Sequence, residues 1–392
     1  MITSRGCRIA VAAVSAACLL VLVSACTRPA SLRSSRKAVA SPRASVGARA
    51  SVPMVAHVWR PGMRQLGIEV YWTANTKDPA AVIQAKARRI INYAISLNAN
   101  SITLTFPFYT YGLNSDTVYA SRTTTPSPAH VAIFLSEAAQ SHIRVTLRPI
   151  LNENVLVAQN PIAWRGSIEP TNPSAWFRSY KRLLLPYAAV AASGHAATFV
   201  VGTELESLEG DPHWPALIRA VRSVYPGQLL YDENFDEFAQ HDANLPLSTF
   251  GVDAYPRFQL PDTATVGQLT QAWENWLGAH ALSVRESVVL SEVGIDAVAG
   301  SYPDPGAWLG TTQSPIDTTV QTNWYKAVCR AVSAEQVGGI YWWEVSFDAN
   351  PADPGPFQSD RITFLGRPAQ QVIKDCFAKL ASGQIGPANA GA

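Results

Sequence analysis

Charge is scarce in this chain: 15% of its 392 residues are Asp, Glu, Lys or Arg, and 47% are apolar. An ordinary soluble domain carries roughly 25% charged residues. A sequence this apolar can bury a large core, which excludes a disordered chain. The shortage of cations excludes a nucleic-acid coat, since that binding needs Lys and Arg to displace phosphate counterions. The seven His (57, 130, 142, 195, 213, 241 and 280) are scattered, with no H-x-H or H-E-x-x-H spacing. A zinc site is therefore not expected. The chain also lacks a G-x-S-x-G elbow and a P-loop, and Trp72-Thr-Ala-Asn stands where a dinucleotide fold would carry its Gly-rich turn. Neither a serine hydrolase nor a nucleotide enzyme is indicated, and no cofactor is expected.

Acidic residues are missing from positions 1–62, which hold nine basic ones, leaving 22 basic against 29 acidic in the remainder. The tail is basic and the body acidic. Arg5 and Arg8 precede the apolar stretch Ile9 to Ala25, which closes in Val23-Ser24-Ala25-Cys26. A charged start, a short apolar core and small residues at its end make an export signal. Cys directly after Ser-Ala is similar to a bacterial lipoprotein signal, in which Cys26 takes lipid and becomes the mature N-terminus. The expected layout is a signal peptide over 1–25, a flexible basic tether over 26–62, one domain over 63–383 and a disordered tail over 384–392. The protein is then held by lipid at the outer face of a bacterial membrane, where a basic tether suits anionic lipid. The alternative is an ordinary signal and a freely secreted protein.

Of five Cys, Cys7 and Cys18 leave with the signal and Cys26 is committed to lipid. Cys329 and Cys376 remain, an even pair expected to form a disulfide between the last two helices of an exported protein.

From Leu66 onward, β-branched and aromatic runs alternate with helical patterns. The runs are Leu66–Trp72, Ser101–Phe106, Ile143–Pro149, Ala197–Thr203, Gln228–Glu233, Thr249–Tyr255, Ser287–Val293 and Gly338–Glu344. Between them Ile83, Ala87, Ile90, Ala94 and Leu97 keep helical spacing, and Asn172-Pro173 reads as an N-cap with Pro in the first turn. Only a helical turn or two fits the connection from Asn234 to Ser248. Parallel neighbours need crossovers, and the crossover helices must cover the sheet, so eight repeats of strand and helix predict a single (β/α)₈ barrel. A length of this order is ordinary for one such domain.

Chemistry in such a barrel collects where the strands end. Glu204 follows the fourth run and Glu292 ends the seventh. A lone Glu there is usually a solvated loop carboxylate, but these two ends face each other across the mouth. Two converging carboxyls are what glycoside cleavage requires: one protonates the leaving oxygen while the other attacks the anomeric carbon or activates water. Glu206 and Glu209 compete with Glu204 for the acid role. Glu69, Asp232, Glu233, Asp253 and Glu344 rank below the pair and read as barrel-lining hydrogen-bond partners or further subsite contacts. Trp72, Tyr255 and the pair Trp342 and Trp343 supply rings on which apolar sugar faces can stack, and Asn152, past the third run, is a further candidate sugar contact.

Gly202-Thr-Glu-Leu-Glu206, Phe250-Gly-Val-Asp-Ala-Tyr255, Leu290-Ser-Glu-Val-Gly294 and Gly339-Ile-Tyr-Trp-Trp343 together resemble the clan A retaining glycoside hydrolases. Within that clan the chain is most similar to glycoside hydrolase family 113, the β-mannanases. The resemblance implies Glu204 as acid/base, Glu292 as nucleophile, Tyr255 as a hydrogen-bond partner of Glu292, and a strand-eight Trp under the cleaved sugar. The implied partner is a β-linked polysaccharide or oligosaccharide, best matched by mannan, with the protein a monomer. One position departs: the clan usually places Asn before its acid/base, and Thr203 stands there. That departure leaves open a second function, a lipoprotein that binds glycan on a degenerate barrel without cleaving it.

Overall fold

The computed structural model describes residues 52–240, 245–307, 315–355 and 360–382. The signal, Cys26, the tether up to residue 51 and the tail from 383 lie outside the described residues.

Eight parallel strands close into a barrel: β1 (Gln65–Tyr71), β2 (Ser101–Thr110), β3 (Arg144–Leu151), β4 (Thr198–Thr203), β5 (Gln228–Asn234), β6 (Phe250–Asp253), β7 (Val289–Val293) and β8 (Gly339–Ser346). Each pairs with its neighbour in sequence, and β1 pairs with both β2 and β8. The helices α1 (Ala80–Ser96), α2 (Pro128–Gln140), α3 (Asn154–Gln159), α4 (Pro173–Ser193), α5 (Trp214–Arg222), α6 (Phe235–Gln240), α7 (Val266–Gly278), α8 (Leu282–Ser287), α9 (Thr318–Ala334) and α10 (Pro368–Ala381) fill the connections. Local chemistry sets their ends. The Asn172 side chain accepts from the Ala175 amide ahead of Pro173, Gly194 closes α4, and Thr265 and Gln268 form a reciprocal capping box on α7.

Alternation sorts the side chains. In β1, Leu66, Ile68 and Val70 join the apolar layer beneath the helices, while Gln65 and Glu69 face the lumen. Such barrels usually fill the lumen with branched apolar residues; this one lines it mostly with polar ones, Leu230 and Val289 apart. Near its N-terminal end Arg144 donates to Thr146, Thr198, Gln228 and Tyr341. Two glycines make the space: a Cβ at Gly67 would lie 2.2 Å from the Tyr341 ring, and one at Gly251 would lie 2.1 Å from both Asp232 Oδ1 and Ser291 Oγ.

Two features extend the expected barrel. β2 runs past the expected Phe106 to Thr110, and a two-residue strand, Val118–Tyr119, folds back antiparallel on its end. The connection after β3 holds α3 and a 3₁₀ turn, Arg165–Ser167, before α4. The stretch read as the end of the tether is packed on the barrel: Val55 is buried, its amide donates to Ser141 O, and Trp59 lies 4.9 Å from the Arg144 guanidinium. Cys329 of α9 and Cys376 of α10 are joined by a disulfide with Cα atoms 5.8 Å apart.

Candidate active site

A cleft of about 750 Å³ opens at the C-terminal ends of the strands. Glu204 and Glu292 both line it, with Tyr255 and Trp343 beside them and Glu153, Pro161–Arg165, Asn234–Asp236, Arg257, Asp304, Gly306 and Ala307 around.

Glu204 comes directly after β4 with φ of 49°, a left-handed conformation that costs a non-glycine residue on the order of 1–3 kcal/mol. Its surroundings impose that turn. The pairing of β4 with β5 slips between Val200 and Gly202, the Glu204 amide donates to Asp232 O at 2.8 Å, and the next amide, of Leu205, donates to Tyr231 Oη at 2.7 Å. The carboxylate accepts from Arg165 Nη1 at 2.8 Å. Arg165 is itself held by Glu153 Oε1 at 3.1 Å and by Leu151 O at 3.1 Å. Burial pushes the Glu204 carboxyl up to about 7, with Arg165 pulling against it and the negative charges of Glu292 and Glu153 adding to it.

Glu292 is held from two sides. Tyr255 Oη donates to its Oε2 at 2.7 Å and Arg148 donates to its Oε1. A slip in the pairing of β7 with β6 lets consecutive residues reach inward, Glu292 to these partners and Ser291 to Asp232 Oδ1 at 2.7 Å. Arg148 is the hub of the site. Its guanidinium also meets Asp232 Oδ2 at 2.7 Å, Asp253 Oδ2 at 2.5 Å and Glu69 Oε2 at 3.3 Å. One cation thus faces four carboxyls in a nearly dry lumen. Burial raises Glu69 to about 8 and lifts Asp253 well above the carboxylate range, with Arg148 the main opposing influence on both. Burial and the crowding of negative charge thus favour the protonated forms within the set, and Arg148 opposes them.

Neither Arg148 nor Arg165 is among the site residues expected from the sequence. A signal for Arg148 exists, because Arg144, Thr146 and Arg148 occupy alternate positions of one apolar run and so share its inward face. Arg165 lies on a long connection with no periodicity to place it. Among the carboxylates grouped near Glu204, Glu206 reaches the cleft, whereas Glu209 accepts from Tyr231 Oη at 2.5 Å. Glu69, Asp232 and Asp253 are the lumen-lining partners expected of them.

The aromatic expectations divide by strand phase. Trp343 faces the cleft, and the peptide after it is cis. Two of the rings read as sugar platforms are core residues instead. Trp342 is 0% exposed and stacks on Tyr325 of α9 at 4.3 Å, and Trp72 is 0% exposed and stacks on Phe347 at 3.9 Å. Both sit on the outward phase of their strands, under the helices. The inward position before Trp72 is Tyr71, whose ring lies 5.3 Å from Trp343 and whose hydroxyl accepts from Asn152 Nδ2 at 3.2 Å. Asn152 thus braces Tyr71 and is not part of the cleft lining. Thr203 is buried, and its hydroxyl has no hydrogen-bond partner.

A closed (β/α)₈ barrel whose fourth and seventh strands each deliver a Glu to one cleft, beside a Trp from the eighth, defines a glycoside hydrolase of the clan A type. The sequence profile of Glycoside Hydrolase Family 113 matches residues 72–360, and the chain belongs to that family. Among solved structures it is similar to a family 113 β-1,4-mannanase determined as a complex, with 18% identity and a TM-score of 0.65 over 81% of this chain and 99% of that one. It is also similar to the family 113 β-mannanase AaManA of Alicyclobacillus acidocaldarius, at 21% identity and TM-score 0.62 over 81% and 98% of the two chains. A family 5 subfamily 18 protein of Streptomyces cattleya, solved with GlcNAc, shares 14% identity at TM-score 0.52 over 82% of each chain. No curated protein sequence matches the chain.

Proposed function

We propose that the protein cleaves a β-linked mannan by double displacement, with Glu204 as acid/base and Glu292 as nucleophile. One observation carries the assignment: of the carboxyls lining the cleft, Glu204 and Glu292 are the two delivered by the fourth and seventh strands, and each has the surroundings its role needs. Glu204 is raised by burial to about 7, so it retains a proton to give near neutral pH. Glu292 has both oxygens held by donors, Tyr255 and Arg148, which fixes it for in-line attack on the anomeric carbon. In the first step Glu204 protonates the departing glycosidic oxygen as Glu292 Oε bonds to the sugar. In the second, the same Glu204, now a carboxylate paired with Arg165, takes a proton from water as that water displaces Glu292. Trp343 provides a flat apolar surface beside the reacting ring.

The test is release of reducing ends from mannan, glucomannan, galactan, xylan and cellulose by the wild type, Glu204→Gln and Glu292→Gln. Release from mannan that both substitutions abolish supports the proposal. Release from a different polymer redirects the substrate, and no release from any polymer or aryl glycoside by the wild type refutes the reading.

The lipoprotein reading of Cys26 is a proposal of its own. Labelled palmitate should appear on the wild type and be absent from Cys26→Ser; its absence from both refutes the anchor.

A further inference from the structure

We propose that the Tyr109, Tyr119 and Tyr111 stack on the rim of the barrel is a distal glycan subsite that lengthens the cleft and binds a neutral β-linked pyranose chain remote from the cleaved bond. The inference rests on the reading of the cleft as a polysaccharide hydrolase. Its first ground is the extension of β2. Tyr71 pairs with Thr105, so Tyr109 stands four residues beyond the level of Tyr71, about 13 Å further along the strand at 3.3 Å per residue. The antiparallel strand Val118–Tyr119 then sets Tyr119 against Tyr109, with rings stacked at 5.7 Å, and Tyr111 stacks on Tyr119 at 4.4 Å with planes 18° apart. Tyr111 is nonetheless 62% exposed, so its outer side is open to a ligand.

The second ground is continuity with the cleft. Helix α3 bridges the two places. Glu153, directly before it, lines the cleft, and Gln159, its last residue, donates from Nε2 to Tyr111 O at 2.8 Å. Gly112 has φ of 155°, a backbone conformation that L side chains rarely adopt, and the Gln159 side chain packs directly against it. The cleft wall resumes two residues later at Pro161 and Ile162, and Ile162 is 87% exposed. Tyr111, Val157 and Ile162 thus put three of the nine exposed large apolar side chains among the described residues on one short arc of rim. Exposed apolar surface joined to a substrate groove marks ligand contact, and ring faces suit the C–H faces of a neutral sugar rather than a charged group.

The experiment compares kcat/KM on mannohexaose with kcat/KM on the shortest manno-oligosaccharide cleaved, in the wild type, Tyr111→Ala and Tyr111→Phe. Taking the ratio removes any general loss of folded enzyme. The expected result is a ratio reduced roughly three- to tenfold in Tyr111→Ala and retained in Tyr111→Phe, the worth of one stacked ring. An unchanged ratio in Tyr111→Ala overturns the subsite while leaving the hydrolase reading intact. If the wild type cleaves no oligosaccharide, that reading fails instead, and calorimetry with mannohexaose, cellohexaose and xylohexaose decides the subsite alone. Weaker binding by Tyr111→Ala than by the wild type supports it; equal binding, or none by either, overturns it.

Discussion

Replacing Arg148 with Met tests the polar lumen most sharply. Arg148 is 1% exposed and meets Glu69, Asp232, Asp253 and Glu292. Removing one partner of a buried ion pair costs about 3–5 kcal/mol, because the other is left charged and dry. Here the abandoned groups can instead take up protons, so the loss depends on pH. Glu69 already stands at about 8 against an ordinary 4.5, and Asp253 lies well above its ordinary value. Raised carboxyls stabilise the fold fully below their unfolded values, and that contribution disappears as pH climbs through the folded ones. Arg148 is the group that lowers them, so its loss lifts them further. The variant should therefore be about 3–5 kcal/mol less stable than the wild type near pH 8 and recover much of that difference near pH 5. Urea unfolding followed by Trp fluorescence at the two pH values measures both. A loss below about 1 kcal/mol, or the same loss at both pH values, refutes the account of the lumen as a shared-proton cluster.

Further outcomes follow from the same structure. The basic limb of kcat/KM should fall near 7, where Glu204 gives up its proton, and Arg165→Met should move that limb to higher pH, since it removes the cation that draws Glu204 down; an unmoved limb in a pH-rate profile contradicts the pairing. Trp343→Ala should lower kcat/KM per folded molecule, whereas Trp342→Ala should cost about 3–5 kcal/mol as a core truncation and leave kcat/KM of the folded fraction nearly unchanged; the same loss of kcat/KM per folded molecule in both would mean the strand phase is wrong. Reducing the bridge between Cys329 and Cys376, which are 47 residues apart, should cost about 4 kcal/mol in the chain-entropy estimate, read as a lower unfolding midpoint with reductant.

The parts of this protein legible in its sequence are those governed by period and count. Eight runs separated by helical patterns give the barrel, and the ends of the fourth and seventh give Glu204 and Glu292. Choices that turn on a single residue of phase are not legible there. Trp72 and Trp342 are apolar and strand-borne, as a sugar platform would be, yet Trp72 lies one step out of phase with the inward Tyr71, and Trp342 one step out of phase with Trp343, which faces the cleft. Pairing slips beside Glu204 and Glu292 add to the difficulty, because they break the alternation where the chemistry sits. Arg165 reaches Glu204 from a connection whose course is set by tertiary contacts with Glu153 and Leu151.

The most direct test of the paired carboxyls uses Glu204→Ala with dinitrophenyl β-mannobioside, whose leaving group departs without an acid. With no base to activate water, the variant should release a single equivalent of dinitrophenol and then stall, carrying the sugar on the peptide that contains Glu292, and azide should restart turnover. Steady release at the wild-type rate, or sugar attached to any other residue, would contradict the assignment.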